Sequence, residues 1–114
     1  MRKLSKFCRL HLIIVILAVA VSAQTGNLPH FKTGESYAKI RVKMLKAGWK
    51  PFHAADSDEC RDGDSRCAGR PEMHVCAGTG LGNCEFYWKR KGKLLAIYTV
   101  GEEDGSYSGH KFLK

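Results

Sequence analysis

Apolar side chains return at helical spacing in one stretch of the chain: Tyr37, Ile40, Met44 and Leu45, with Ala38 and Val42 flanking. Lys39, Arg41, Lys43 and Lys46 fill most of the remaining positions, so the spacing predicts one amphipathic helix over about 35–47. Thr33 or Gly34 is the expected cap, and Glu35 and Lys46 each sit on the favourable side of the helix dipole. Gly48 is the expected left-handed C-cap and Pro51 stops continuation. Further along, the period falls to two. Cys84–Arg90 alternates, Lys91-Gly92 suits a tight turn, and Lys93–Val100 is rich in strand formers, which together predict a hairpin. A two-residue turn sets Trp88 opposite Leu95 and Phe86 opposite Ile97 on one face. It sets Tyr87 opposite Ala96 and Glu85 opposite Tyr98 on the other. The first is the core face, to be covered by Tyr37, Ile40, Met44 and Leu45.

A lone hairpin is marginal in water, so a third strand is expected from Trp49–Ala54, with Pro51 placing it at a sheet edge. Asp56–Asp64 reads as a polar loop, Pro71-Glu72 as the start of a short helical turn through Val75, and residues 106–114 as a flexible tail. The predicted class is α+β: one amphipathic helix packed on a three- to four-stranded antiparallel sheet, stapled by two disulfides.

The first 23 residues change how the composition is read. Met1–His11 carries Arg2, Lys3, Lys6 and Arg9 with no acid, Leu12–Val21 is an unbroken apolar run, and Val21-Ser22-Ala23 precedes Gln24 with small residues. That is the pattern of a cleaved secretory signal; the apolar run is about ten residues, half of the roughly 20 that a membrane span needs. Removing it takes away four basic residues and lowers the net charge from +8 to +4. The remainder fits one small domain, 24–105 plus the tail, and excludes motor, multidomain and nucleotide-handling architectures. A cleaved signal points to export.

Cys8 leaves with the signal, and Cys60, Cys67, Cys76 and Cys84 remain as C-x6-C-x8-C-x7-C. Four cysteines in a short exported chain imply two disulfides, with three pairings open. The turn-rich segments 61–65 and 77–83 lean toward sequential pairing, while loop entropy does not choose. Zinc knuckles need closer cysteines, and a catalytic C-x-x-C is absent.

Other chemistry fails on spacing. Gly78-Thr79-Gly80-Leu81-Gly82-Asn83 lacks the third glycine of a dinucleotide loop and the Gly-Lys-Ser/Thr of a phosphate loop. Asp56, Asp58, Glu59, Asp62 and Asp64 are out of register for a calcium hand. His30, His53, His74 and His110 show no metal spacing, and an imagined His74–Glu72 acid/base pair lacks room for a deep pocket. The expectation is no enzyme activity, no cofactor and no metal.

Charge is blocky: residues 32–50 are net +5, 53–64 net −4, 85–93 net +3 and 94–105 net −3. Alternating blocks suit a protein partner of complementary surface. The glycine loop, with Gly78, Thr79, Gly80, Leu81 and Gly82, and the tyrosines Tyr87 and Tyr98 are the candidate contact residues. A peripheral contact of the basic helix and Lys89–Lys93 with an anionic surface is the second reading, and a small enzyme or ligand carrier the third. Nucleic acid is not expected, because zinc-finger and RNP-type motifs are missing.

The run Cys60…Cys67-Ala68-Gly69-Arg70-Pro71-Glu72…Cys76-Ala77-Gly78-Thr79-Gly80…Cys84-Glu85-Phe86-Tyr87-Trp88, closed by Thr99-Val100-Gly101-Glu102, resembles small uncharacterised exported proteins of Gram-negative bacteria. The resemblance spans about residues 36–103. It implies a periplasmic address and, by analogy with immunity proteins that neutralise secreted toxins, an unidentified periplasmic or secreted protein as partner. It implies no active residue.

Overall fold

The structure is a computed structural model, and it describes residues 28–114; the expected signal at 1–23 lies outside them. Element order is α1 (Tyr37–Lys46), β1 (Lys50–Pro51), β2 (Met73–Cys76), β3 (Cys84–Arg90), β4 (Lys93–Val100) and β5 (Ser106–Phe112). All strand pairs are antiparallel, in the order β1-β3-β4-β5, with β2 also paired to β3. β1 meets β3 at Trp88 and Lys89 and β2 meets it at 84–86, so the two short strands lie end to end along one edge. One helix packs on this sheet and two disulfides staple it, Cys60–Cys67 and Cys76–Cys84.

The hairpin follows from local rules. Lys91 and Gly92 have φ of 48° and 76°, the left-handed pair that matches the twist of the flanking strands. The register has Trp88 opposite Leu95, Phe86 opposite Ile97, Tyr87 opposite Ala96 and Glu85 opposite Tyr98. Phe86, Trp88, Leu95 and Ile97 are fully buried, with Tyr37, Ile40 and Met44 from α1 over them. The Tyr37 and Phe86 rings stack at 3.7 Å.

Five expectations are corrected. Leu45 is not core: it is 45% exposed, and the space beneath the helix end is filled by Trp49, whose N–H returns to the Met44 carbonyl. The helix cap is Ser36, not Thr33 or Gly34; its Oγ accepts the Lys39 N–H. The neighbouring orphan donors are met from a distance, Tyr37 N–H by the Gly105 carbonyl and Ala38 N–H by Asp104 Oδ2. Residues 73–76 form a strand and not a helical turn, because Met73 buries opposite Phe86 and Cys76 is bonded to Cys84 directly across the ladder. The segment 106–112, expected as a flexible tail, is β5. It pairs with β4 throughout, and its first residues are closed on the other side by 34–36. The strand expected over 49–54 shrinks to Lys50–Pro51, since the chain turns away after Phe52 N–H reaches the Tyr87 carbonyl.

The turn between β4 and β5 is tightly packed. A Cβ added at Gly105 would stand 2.6 Å from Thr99 Oγ1, so only glycine brings its carbonyl close enough to meet the helix N-terminus.

Candidate functional site

The glycine loop between Ala77 and Asn83 is held from three directions. Cys76–Cys84 closes its base, where the Ala77 N–H also donates to the Asn83 carbonyl at 2.7 Å. Arg66 reaches in from the first disulfide loop, with Nη1 donating to the carbonyls of Ala77 (2.7 Å) and Gly82 (3.3 Å). Its other nitrogens grip Asp64, Nε to Oδ1 and Nη2 to Oδ2. Bonding to Arg66 lowers the Asp64 carboxyl below its ordinary value and raises the guanidinium above its own. From the far side, the Gly101 N–H donates to the Leu81 carbonyl at 2.7 Å.

These restraints sort the predicted loop residues. Gly78, Thr79, Gly80 and Leu81 face solvent, and Leu81 is 74% exposed, the largest value among the exposed large hydrophobics described. Gly82 does not face outward. It is buried at φ +65°, and a Cβ there would stand 3.0 Å from the Gly101 carbonyl oxygen, so it is a packing glycine. A depression of about 350 Å³ lies between this loop and residues 63–66.

Tyr87 and Tyr98 lie on the sheet face opposite the buried one, and both are half-buried. Tyr87 is stacked on His74 at 4.1 Å, and His74 stands at a register shift in the β2–β3 ladder. Burial, then the charge of Glu85, raises both phenols above their ordinary pKa. Tyr98 pairs with Glu85, next to the disulfide that closes the glycine loop, so the loop and this face share one end of the hairpin.

The imagined His74–Glu72 pair is not formed. Glu72 is fully buried on the helix side, accepting from Tyr37 Oη (2.9 Å) and from Arg41 Nε (2.6 Å) and Nη2 (3.4 Å). Trp88 Nε1 donates onward to Tyr37 Oη at 3.1 Å. Burial and the Glu72 charge push the Tyr37 phenol well above its ordinary value. This chain ties helix, sheet and crossover together. His74 instead meets Ser57 Oγ at 3.0 Å through Nδ1. That hydroxyl also accepts the Ala54 N–H, which braces the turn.

A second depression, about 450 Å³, is lined by His53, Glu59, the Cys60–Cys67 bridge, Arg70 and Met73 among others. Its cation is committed: Arg70 donates to Asp104 and lies 4.9 Å over the Tyr37 ring. Among the described residues no group of three or more histidine, cysteine or acidic side chains is placed to hold a metal. Nor is any helix there long and apolar enough to cross a membrane.

The chain matches none of the protein-family models, curated proteins or solved structures with which it was compared. Arg66 and Trp49 are the residues whose roles sequence reasoning missed. Nothing local marks Arg66, apart from its place inside a disulfide loop beside Asp64.

Proposed function

We propose that the chain is a small exported protein-binding module, of the immunity or inhibitor type, which captures a periplasmic or secreted protein. The observation that supports this reading is Leu81: a large apolar side chain, 74% exposed, on a loop restrained by a disulfide, an arginine clamp and the β4–β5 turn. An apolar group held out in one geometry contributes affinity at little ordering cost, because the loop's freedom is already spent on folding. Tyr98 and the stacked Tyr87 add rigid aromatic area at the same end, the residue type enriched among binding hot spots. The two disulfides suit an oxidising compartment.

The test is affinity capture from periplasmic extract with wild type and Leu81→Asp in parallel. A protein retained by wild type should be lost from the variant, with binding weakened at least about tenfold and the melting midpoint little changed. Rising salt should slow association more than it speeds dissociation. Equal capture by both proteins would remove the loop from the interface.

A further inference from the structure

The basic blocks seen in the sequence are distant along the chain, and the fold gathers them. Lys50 pairs with Lys89 across β1 and β3, and Arg90 pairs with Lys93 across the hairpin turn at Lys91-Gly92. The chain terminus comes back to the same end, where Leu94 N–H donates to the Lys114 carbonyl and Leu113 N–H to the Leu94 carbonyl. The last turn of α1, with Lys46, leads directly into this region through Gly48 and Trp49. No aspartate or glutamate occurs between Glu35 and Asp56, between Glu85 and Glu102, or after Asp104. Four acids lie at the opposite end, two of them paired with Arg66 and Arg70. Asp104 caps the helix N-terminus there, Glu102 and Glu103 sit in the β4–β5 turn, and Asp64 braces the glycine loop. The domain is therefore bipolar, and its helix runs from the acidic pole to the basic one.

Two further features belong to the basic pole. A depression of about 440 Å³ opens between Gly48, Lys50, Lys89, Arg90 and Lys91. Beside it, Phe112 and Leu113 are exposed (44% and 37%), with the Lys93 ammonium 5.9 Å from the Phe112 ring and Trp49 packed behind at 6.2 Å. Cations interleaved with exposed aromatic and aliphatic side chains form the combination that settles at a lipid headgroup boundary, where the charges meet phosphates and the apolar groups enter below them. A soluble polyanion would give Phe112 and Leu113 no such environment.

We infer that the basic pole docks on an anionic lipid bilayer, with Phe112 and Leu113 entering the interface, so that the glycine loop at the acidic pole is held away from the membrane. This surface shares no residue with the contact surface of the protein-binding reading, so each can fail without the other.

Vesicle sedimentation tests it, with the oxidised protein on vesicles of three parts phosphatidylcholine to one part phosphatidylglycerol and on phosphatidylcholine alone. Every variant carries the same N-terminus as wild type, so any contribution of residues 1–27 cancels. Wild type should sediment with the anionic vesicles and be released by salt. Lys50→Gln, Lys91→Asn and Lys93→Gln together should lower affinity about 100-fold, at about fivefold per cation near the surface; asparagine is chosen at 91 because it tolerates the left-handed backbone. Restoring net charge in that variant with Asp62→Asn, Glu102→Gln and Glu103→Gln should not restore binding. Phe112→Ser with Leu113→Ser should leave low-salt binding but release the protein at lower salt than wild type. Far-UV circular dichroism and melting curves establish that each variant is folded. Recovery of binding by the charge-restored variant would overturn the proposal, since net charge alone would then suffice. Equal retention of the pole variant and wild type, or indifference of the Phe112/Leu113 variant, would overturn it as well.

Discussion

Arg41 and Glu72 carry the most consequential residue-level chemistry. The Glu72 carboxylate has no access to solvent, while Arg41 is 27% exposed at its side chain, so the two are not equivalent partners. Arg41→Ala leaves a buried charge accepting only from Tyr37 and should cost about 3 kcal/mol in denaturant melts. Glu72→Gln keeps an acceptor for Tyr37 and releases Arg41 toward water, so it should cost less; the reverse order would assign the burial penalty wrongly. Asp64 governs acid behaviour at the loop. Its carboxyl is held below the ordinary 3.8 by the bonds from Arg66, so the stability it confers is complete above that value and is lost as pH falls through the lower folded-state one. Asp64→Asn should lower the neutral-pH melting midpoint and flatten the acid limb of a midpoint-against-pH curve. An unchanged acid limb would shift that role to Glu35, whose carboxyl is likewise held low by Lys43 and the Lys32 N–H.

Within the elements, strand alternation assigns opposite fates to adjacent aromatics. Trp88 is fully buried under the helix and its indole N–H is spent on Tyr37, whereas Tyr87 lies on the uncovered face against His74. Trp88→Ala should cost about 3–5 kcal/mol through lost burial and a cavity. Tyr87→Ala should cost well under half of that in the same urea titration, and a larger loss at Tyr87 would mean that the outer face is the one that packs. Both strands of the hairpin were legible from period and turn chemistry. β2 and β5 were not, because neither carries an apolar alternation. Met73–Cys76 becomes a strand through a disulfide and one buried methionine, and Ser106–Phe112 through a ladder with β4 that its mostly exposed side chains do not announce.

For the molecule as a whole, the exported reading predicts its covalent state. Intact mass of the protein recovered from its native compartment should match residues 24–114 less four hydrogens, for two cystines. A species retaining Met1, or one with free thiols after denaturation, would end that reading. The disulfides close loops of eight and nine residues, each expected to contribute about 2.5 kcal/mol by limiting the unfolded chain. A reduced sample should therefore melt markedly lower. Both bridges lie around the glycine-loop end, and neither reaches the basic end formed by Lys50, the hairpin turn and residues 112–114.

Periodicity and turn residues, which are local, sufficed for the helix with Tyr37, Ile40 and Met44 inward, for the register from Cys84 to Thr99, and for sequential cystine pairing as the favoured choice. They act over a few residues, and the chain has few ways to satisfy them. The destinations of single groups were decided by contacts across long separations. Trp49 joins Tyr37, Ile40 and Met44 in the core, while Leu45, about 100° around the helix from Met44, stays exposed. Glu72 turned from His74 to Arg41 because a buried carboxylate needs a cation. Leu81 became a presented side chain, and not part of a slack loop, because Arg66 holds the Ala77 and Gly82 carbonyls and the Gly101 N–H holds that of Leu81. Charge blocks were visible as blocks, but their gathering into two poles required the sheet, which returns β1, the hairpin turn and the chain end to one side of the molecule.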